Sequence, residues 1–495
     1  MNELLVLALL GPLVAGGAAA WRLHGRMAER LTAVSLAVSA AAGLLLAGGV
    51  FAGGTGARVM AFDALVSVDA LGAYVLALVA IVAVLAMAGS PRYVRHELAV
   101  GGLPGHVEGR YYACFLWFTA SLAAIPLVDN LGLVWIGIEA ATVVSALLVG
   151  INRTPEAIEA AWKYLILGTV GVGFALLATL LIYASSVQVL GESSDALNWT
   201  RLMSIAPGLN PGLLRLAFVF ALAGYGTKIG LVPFHTWLPD AHSQAPSPIS
   251  AMLSGVSLVT GLYALVRFHL VASAGLGPAF SSNLMIGLGL LSLAVALPFL
   301  VRQEDLKRLL AYSSVEHMGL LTLGIGFGGP LALLGVTVHA GLHALTKSTL
   351  FLSAGELVQR YETRRLSRLR GALEAAPVAG GATGIGILLL GGLPPSGIFV
   401  TEFAIVVGGL LRGYGIAAAL AALLLSLSFV ALAVHGSRLV WGRVPLDVAA
   451  VRGGFGMAAR FGLPLIAVCV LGLWTPGPLA TALDSIRAIL GAANG

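Results

Sequence analysis

The chain has 495 residues, 58% of them apolar and 10% charged, with a mean hydropathy of +0.96. A soluble domain carries roughly 25% charge, so a water-soluble globular fold is excluded and the bilayer is the solvent. The net charge of +6 does not mark a nucleic-acid partner, because the arginines fall in short loops between hydrophobic stretches, where the positive-inside rule puts them.

A membrane-spanning helix needs about 20 apolar residues. Hydropathy predicts an all-α integral membrane protein of about 14 such helices, near 3–20, 31–52, 67–89, 111–128, 130–150, 162–185, 211–236, 248–271, 283–301, 309–327, 331–354, 378–411, 415–436 and 461–480. The first has neither a basic leader nor a small-x-small cleavage site and is read as a retained helix. Alternate loops carry the basic clusters Arg22/Arg26/Arg30, Arg92/Arg95/Arg110, Arg302/Lys307/Arg308, Arg360/Arg364/Arg365/Arg368/Arg370 and Arg438/Arg443/Arg452/Arg460. Both termini are therefore expected outside a bacterial-type cytoplasmic membrane. Cys114 and Cys469 lie far apart in apolar stretches, and without CxxC spacing no metal or redox cofactor is expected.

Two spans are too long and too interrupted for plain helices. In 211–238, GLVPFHTWLPDAH (230–242) carries Pro233 and Pro239; in 378–411 the break is GGLPPSGIF (391–399). They are the seventh and twelfth spans, five apart, so helices 4–8 and 9–13 form two five-helix units. Because five is odd, the units have opposite orientations, the inverted-repeat arrangement of transporters. The expected division is 1–110 for helices 1–3, 111–271 and 272–437 for the two repeats, and 438–495 for helix 14. Two unrelated proline kinks are the competing reading.

Only four lysines, Lys163, Lys228, Lys307 and Lys347, stand against 24 arginines. Arginine stays protonated in proteins, whereas a desolvated lysine can release its proton, so lysines inside spans are candidates for proton exchange. Lys163, at the start of its helix, is expected to snorkel to the surface. Glu139, in VWIGIEAATVVSALLVG (134–150), falls near mid-bilayer, and Lys228 beside the first break is its natural partner. At about 4 Å their attraction would be roughly 4 kcal/mol at an effective dielectric of 20, so moving Glu139 would load or empty Lys228. A static structural pair is the alternative.

His339, His343 and Lys347 recur at i, i+4 and i+8, one helical stripe about 12 Å long and the reach of a proton wire. Haem ligation is disfavoured because the two histidines face the same way. His317, with Glu316 beside it, is placed to extend the stripe from the neighbouring helix. Glu402, in FVTEF after the second break, is the candidate exit carboxylate. His235 and His242 flank the first break near the inner surface and are candidate proton-entry groups; simple solvation is the other reading of both.

GLVPFHTWLPDAHSQAPSPIS (230–250), EAAWKYLILG (159–168), LKRLLAYSSVEHMG (306–319), HALTKSTLFLSAG (343–355) and GLPPSGIFVTEF (392–403) resemble antiporter-like subunits. That family includes proton-pumping membrane subunits of respiratory complex I, Mrp antiporter subunits and group 4 hydrogenases; the similarity covers about residues 65–440. YSSVEHMG and GLPPSGIF look most like hydrogenase-4 component F. The resemblance implies 14 helices with inverted repeats and discontinuous helices 7 and 12. It also implies a Glu139–Lys228 coupling pair, Lys347 in the second half-channel and Glu402 as terminal carrier. Relatives often place a lysine or histidine in mid-helix 8; this chain has Val259 there and no ionisable group before Arg267.

The expected function is a proton-translocating subunit of a multisubunit respiratory or hydrogenase-type complex. Its expected partners are other membrane subunits and a peripheral redox arm. A Mrp-type cation/proton antiporter moving sodium, and energy coupling for inorganic carbon uptake, are the alternatives within the family. A membrane cytochrome or quinone enzyme, and a scaffold, are those outside it.

Overall fold

The computed structural model describes residues 1–451 and 453–491; Arg452, in one of the basic clusters above, lies outside the described residues. The described chain is almost wholly helical. Helices α1 (Asn2–Ala20) and α2 (Gly25–Ala52) lead through a hairpin of β1 (Val59–Ala61) and β2 (Val66–Val68) to α3 (Ala70–Ala99). There follow α4 (Glu108–Ala124), α5 (Leu131–Val149), α6 (Pro155–Leu190), the short α7 (Trp199–Ile205), α8 (Pro211–Ile229), α9 (Trp237–Gln244) and α10 (Ser247–Met252). A π-helical segment, Leu253–Ser257, joins α10 to α11 (Leu258–Leu276). Next come α12 (Pro278–Arg302), α13 (Leu306–Phe327), α14 (Gly329–Tyr361) and the single turn α15 (Ala372–Ala375). The chain finishes with α16 (Pro377–Leu390), α17 (Gly397–Leu411), α18 (Gly415–Val440), α19 (Phe455–Leu473) and α20 (Gly477–Gly491).

Eleven of these, taking α10–α11 as one, are long and apolar enough to cross a membrane. The continuous α10–α11 segment is enclosed by the others along its whole apolar window. Its π segment is held by a hydroxyl pair, Ser254 Oγ to Ser314 Oγ at 2.8 Å, that links it to α13. Elsewhere small residues let helices approach closely, as membrane packing requires. At Gly289 a Cβ would meet the Gly319 carbonyl at 2.7 Å, so α12 and α13 touch backbone to backbone there.

Both expected helix breaks are present, and in both the freed backbone groups find partners. After α8, Gly230 takes a left-handed conformation (φ +82°) and turns the chain. Leu231 N–H returns to the Gly226 carbonyl at 2.8 Å, Val232 N–H donates to Ser292 Oγ at 3.1 Å, and Trp237 Nε1 donates to the Thr227 carbonyl at 2.8 Å. Between α16 and α17, Leu393 N–H donates to the Leu388 carbonyl at 3.0 Å, and Ser396 Oγ caps α17 by accepting from Phe399 N–H.

The β1–β2 hairpin, α7 and α20 were not expected. The last predicted span, near 461–480, ends instead at Leu473; Pro476 and Gly477 turn the chain into α20, which packs on α14 and α3. That helix is amphipathic: Leu483, Ile486 and Leu490 are buried, while Asp484 and Arg487 pair on its exposed side at 2.8 Å. A buried ion pair supports the same region. Arg267 of α11 meets Asp69 at 2.7 Å, the two being 1% and 5% exposed, and Asp69 also caps α3 through Gly72 N–H. The Arg267 guanidinium lies 4.0 Å from the Trp199 ring centroid and 4.7 Å from that of Tyr263, so it ties α3, α7 and α11 together.

Candidate functional site

The first break positions Lys228 at the end of α8, where its side chain passes Gly261 of α11. It is 1% exposed, and its Nζ donates to Thr142 Oγ1 at 2.9 Å and Tyr164 OH at 3.0 Å. Tyr164 is held in place by Trp237, stacked on it at 4.4 Å just past the break, and by a hydroxyl contact with Ser145 at 2.8 Å. The expected Glu139–Lys228 ion pair is not formed. Helix α5 presents Thr142, three residues beyond Glu139, to the lysine. Glu139, nearly one turn earlier on α5, is half-buried; Thr169 Oγ1 of α6 donates to its Oε1 at 3.2 Å and its Oε2 has no partner among the described residues. Lys163 is at the surface as expected, paired with Glu159 at 2.6 Å and Asp240 at 3.3 Å.

The second cluster is denser. His339, His343 and Lys347 lie on one face of α14, and all three are fully buried. Lys347 Nζ donates to the Leu310 carbonyl at 2.6 Å and to Ser313 Oγ, both on α13. His317 of α13 faces the stripe, its ring centroid 5.1 Å from that of His339 and 5.3 Å from that of His343. Two hydrogen bonds run on from there: His317 Nδ1 to His339 Nε2 at 2.9 Å, and His339 Nδ1 to Thr401 Oγ1 of α17 at 2.9 Å. Thr401 donates its own proton to a carbonyl one turn back, Gly397 or Ile398. Which nitrogen donates at each link depends on the tautomers of the two imidazoles. His317 Nε2 and both nitrogens of His343 make no hydrogen bond of good geometry among the described residues. Among the described residues, no group of three or more His, Cys, Asp or Glu is placed to hold a metal ion.

Glu402 follows Thr401 and lies at the wall of a cleft of about 470 Å³ between the second break and α18, bounded by Gly392, Phe399, Phe403, Ser426 and Phe429. Glu402 itself is 8% exposed.

The two candidate entry histidines are not surface groups. His242 is fully buried and stacks on Phe351 at 5.4 Å, while His235 is 8% exposed beside Phe299 and Tyr312. The break folds this segment back into the bundle, so the imidazoles point inward. The opening to water lies one turn further on, a polar cavity of about 250 Å³ lined by Ser243, Gln244, Lys307, Gln359, Arg364 and Glu97, among others. Lys307, placed in a loop cluster from the sequence, is 3% exposed, and its Nζ caps the Ala245 carbonyl at the end of α9. Sequence reasoning also missed Thr142, Tyr164 and Thr401 as partners, because their roles arise only from helix–helix contact.

Residues 128–428 match the family model described as the NADH:quinone oxidoreductase/Mrp antiporter transmembrane family. A hydrogenase-4 component F homolog from Methylacidiphilum infernorum is 42% identical over 334 residues, 67% of this chain and 70% of that protein. Among solved structures, a chain of the membrane-bound sulfane sulfur reductase, an archaeal respiratory membrane complex, superposes with a TM-score of 0.86 at 20% identity, covering 99% of this chain and 98% of that one. A chain of the Mrp complex from Dietzia sp. gives a TM-score of 0.82 at 20% identity, covering 100% and 99%. The helix order, the buried lysines and these matches agree: the chain is an antiporter-like membrane subunit and belongs to the NADH:quinone oxidoreductase/Mrp antiporter family.

Proposed function

We propose that this chain conducts protons across the cytoplasmic membrane as a subunit of a multisubunit respiratory or group 4 hydrogenase-type complex, with the redox chemistry on partner subunits and a peripheral arm. The observation that carries this reading is the second cluster: Lys347, His343, His317, His339 and Thr401 form a continuous buried run that ends beside Glu402. Burying so many titratable groups in a bilayer costs several kcal/mol and is tolerated where charge must move. Lys228, held by neutral hydroxyls alone, is the exchanging group of the first half, and Glu139 its partner in a different state of the complex. Glu402 delivers to the outside.

The order of helices supports 14 spans in two inverted repeats, residues 111–271 and 272–437, with 1–110 before and 438–495 after, and with both termini outside. α8–α9 then corresponds to α16–α17. The hydroxyls of the π segment and the inward-facing His235 and His242 connect the halves where Val259 replaces an ionisable residue.

The test is the intact complex in proteoliposomes, driven by its redox substrate, with a pH-sensitive dye inside. Internal acidification at the same rate in sodium-free and sodium-containing medium is expected. Acidification that requires sodium would favour Mrp-type cation/proton exchange, and redox turnover with no pH change would overturn the proposal.

A further inference from the structure

We propose that Glu316 is a proton carrier between Lys347 and Glu402, the second-half counterpart of Glu139. The inference rests on the proton-conduction reading above and adds to it a residue and a step.

Glu316 is a carboxylate in the middle of α13, 2% exposed, with Oε2 lacking any hydrogen-bond partner among the described residues. Beside it lies Ser428 of α18, whose buried hydroxyl is within reach of that carboxyl. A carboxyl with an unpaired oxygen next to a buried hydroxyl gives an internal water the polar partners it needs. A carboxyl oxygen left unpaired in an apolar bundle is costly and contributes nothing to packing, which favours a role beyond structure.

Position supplies the second argument. Lys347 is anchored on Ser313, and Glu316 is three residues along the same helix, one turn and about 4.5 Å of rise away on the same face. Helix α13 packs against both α14, which carries Lys347, and α17, which carries Glu402. His317 next to it points the other way, into the imidazole cluster. The internal symmetry supplies the third. α5 and α13 are the second helices of their units; Glu139 is nine residues past its N-cap Asn130, and Glu316 eleven past its N-cap Asp305.

The transfer balances in two steps. The Lys347 ammonium gives a proton, through bridging water, to the Glu316 carboxylate, leaving a neutral amine and a carboxylic acid. The acid then protonates the Glu402 carboxylate and returns to its anionic form, while Lys347 is reloaded from the inner side.

Glu316→Gln, nearly isosteric, in the intact complex is the test, read by redox-driven proton translocation and by the infrared difference spectrum between resting and turning-over enzyme. The expected result is an assembled complex whose translocation falls roughly 10²-fold, the low end of what a positioned proton-transfer group contributes, with loss of one carboxylic C=O difference band. Should the glutamine variant fail to assemble, Glu316→Asp is expected to retain partial translocation and to shift that band. Wild-type translocation in Glu316→Gln, or an unchanged carboxyl difference spectrum in either variant, overturns the proposal. Lys347→Met separates the two claims. If it stops translocation while Glu316→Gln does not, only the Glu316 step fails; if it too pumps normally, the conduction reading fails.

Discussion

Replacing Lys228 by methionine should separate stability from function. The Lys228 ammonium donates two charge-assisted hydrogen bonds, to Thr142 and Tyr164. At about 1.5–3 kcal/mol each they contribute roughly 3–6 kcal/mol. Withdrawing the ammonium from water costs several kcal/mol even after relaxation, so the two terms nearly cancel. The hydroxyls left behind are not orphaned: Thr142 already donates to the Ile138 carbonyl at 2.8 Å, and Tyr164 keeps Ser145 at 2.8 Å. Methionine also fills the same slot beside Gly261. We therefore expect Lys228→Met to assemble normally and to change stability by no more than about 1–2 kcal/mol. Proton translocation should fall roughly 10²-fold or more, the contribution of a positioned proton-transfer group. Lys228→Arg should be equally inactive, because a guanidinium keeps its proton. The assay is dye quenching in inverted membrane vesicles normalised to redox turnover, with thermal stability of the purified complex in parallel. Wild-type translocation in an assembled Lys228→Met complex would refute the assignment, and failure of that variant to assemble would refute the energetic argument.

Two further outcomes follow from the geometry. Asp69→Asn removes the counter-charge of a guanidinium that is 1% exposed, which should cost about 3–5 kcal/mol and lower the thermal stability of the complex, whereas replacing Asp69 and Arg267 together by apolar residues should recover much of it. Thr401→Val removes the hydroxyl partner of His339 Nδ1; translocation is expected to slow while redox turnover without a membrane gradient stays near wild type, and Thr401→Ser should restore it.

The helical membrane fold was legible in the sequence because the bilayer imposes a length and a polarity on every span, and Pro233 and Pro394–Pro395 mark the two breaks. The His339/His343/Lys347 stripe was legible for a similar reason, since helical periodicity alone puts those groups on one face. What sequence could not show is which face meets which neighbour. Glu139 and Lys228 are the natural charge pair on paper, yet Thr142, one turn further along α5, takes the contact. Asp69 and Arg267 are 198 positions apart, and their pairing depends on how α3 and α11 cross. His242 was read as lying near the inner surface because it flanks the first break, whereas the break folds it against Phe351 and leaves the polar cavity to Ser243, Gln244 and Lys307. Helix α20 escaped because its apolar residues form one stripe instead of a continuous run.

If charge moves through the buried run that begins at Lys347, redox-driven acidification of inverted vesicles depends on that ammonium, and the Lys347→Met complex is the decisive sample. The expected result is an assembled complex that oxidises its substrate but acidifies the vesicles far more slowly than wild type. Acidification per redox turnover equal to that of the wild type would contradict it.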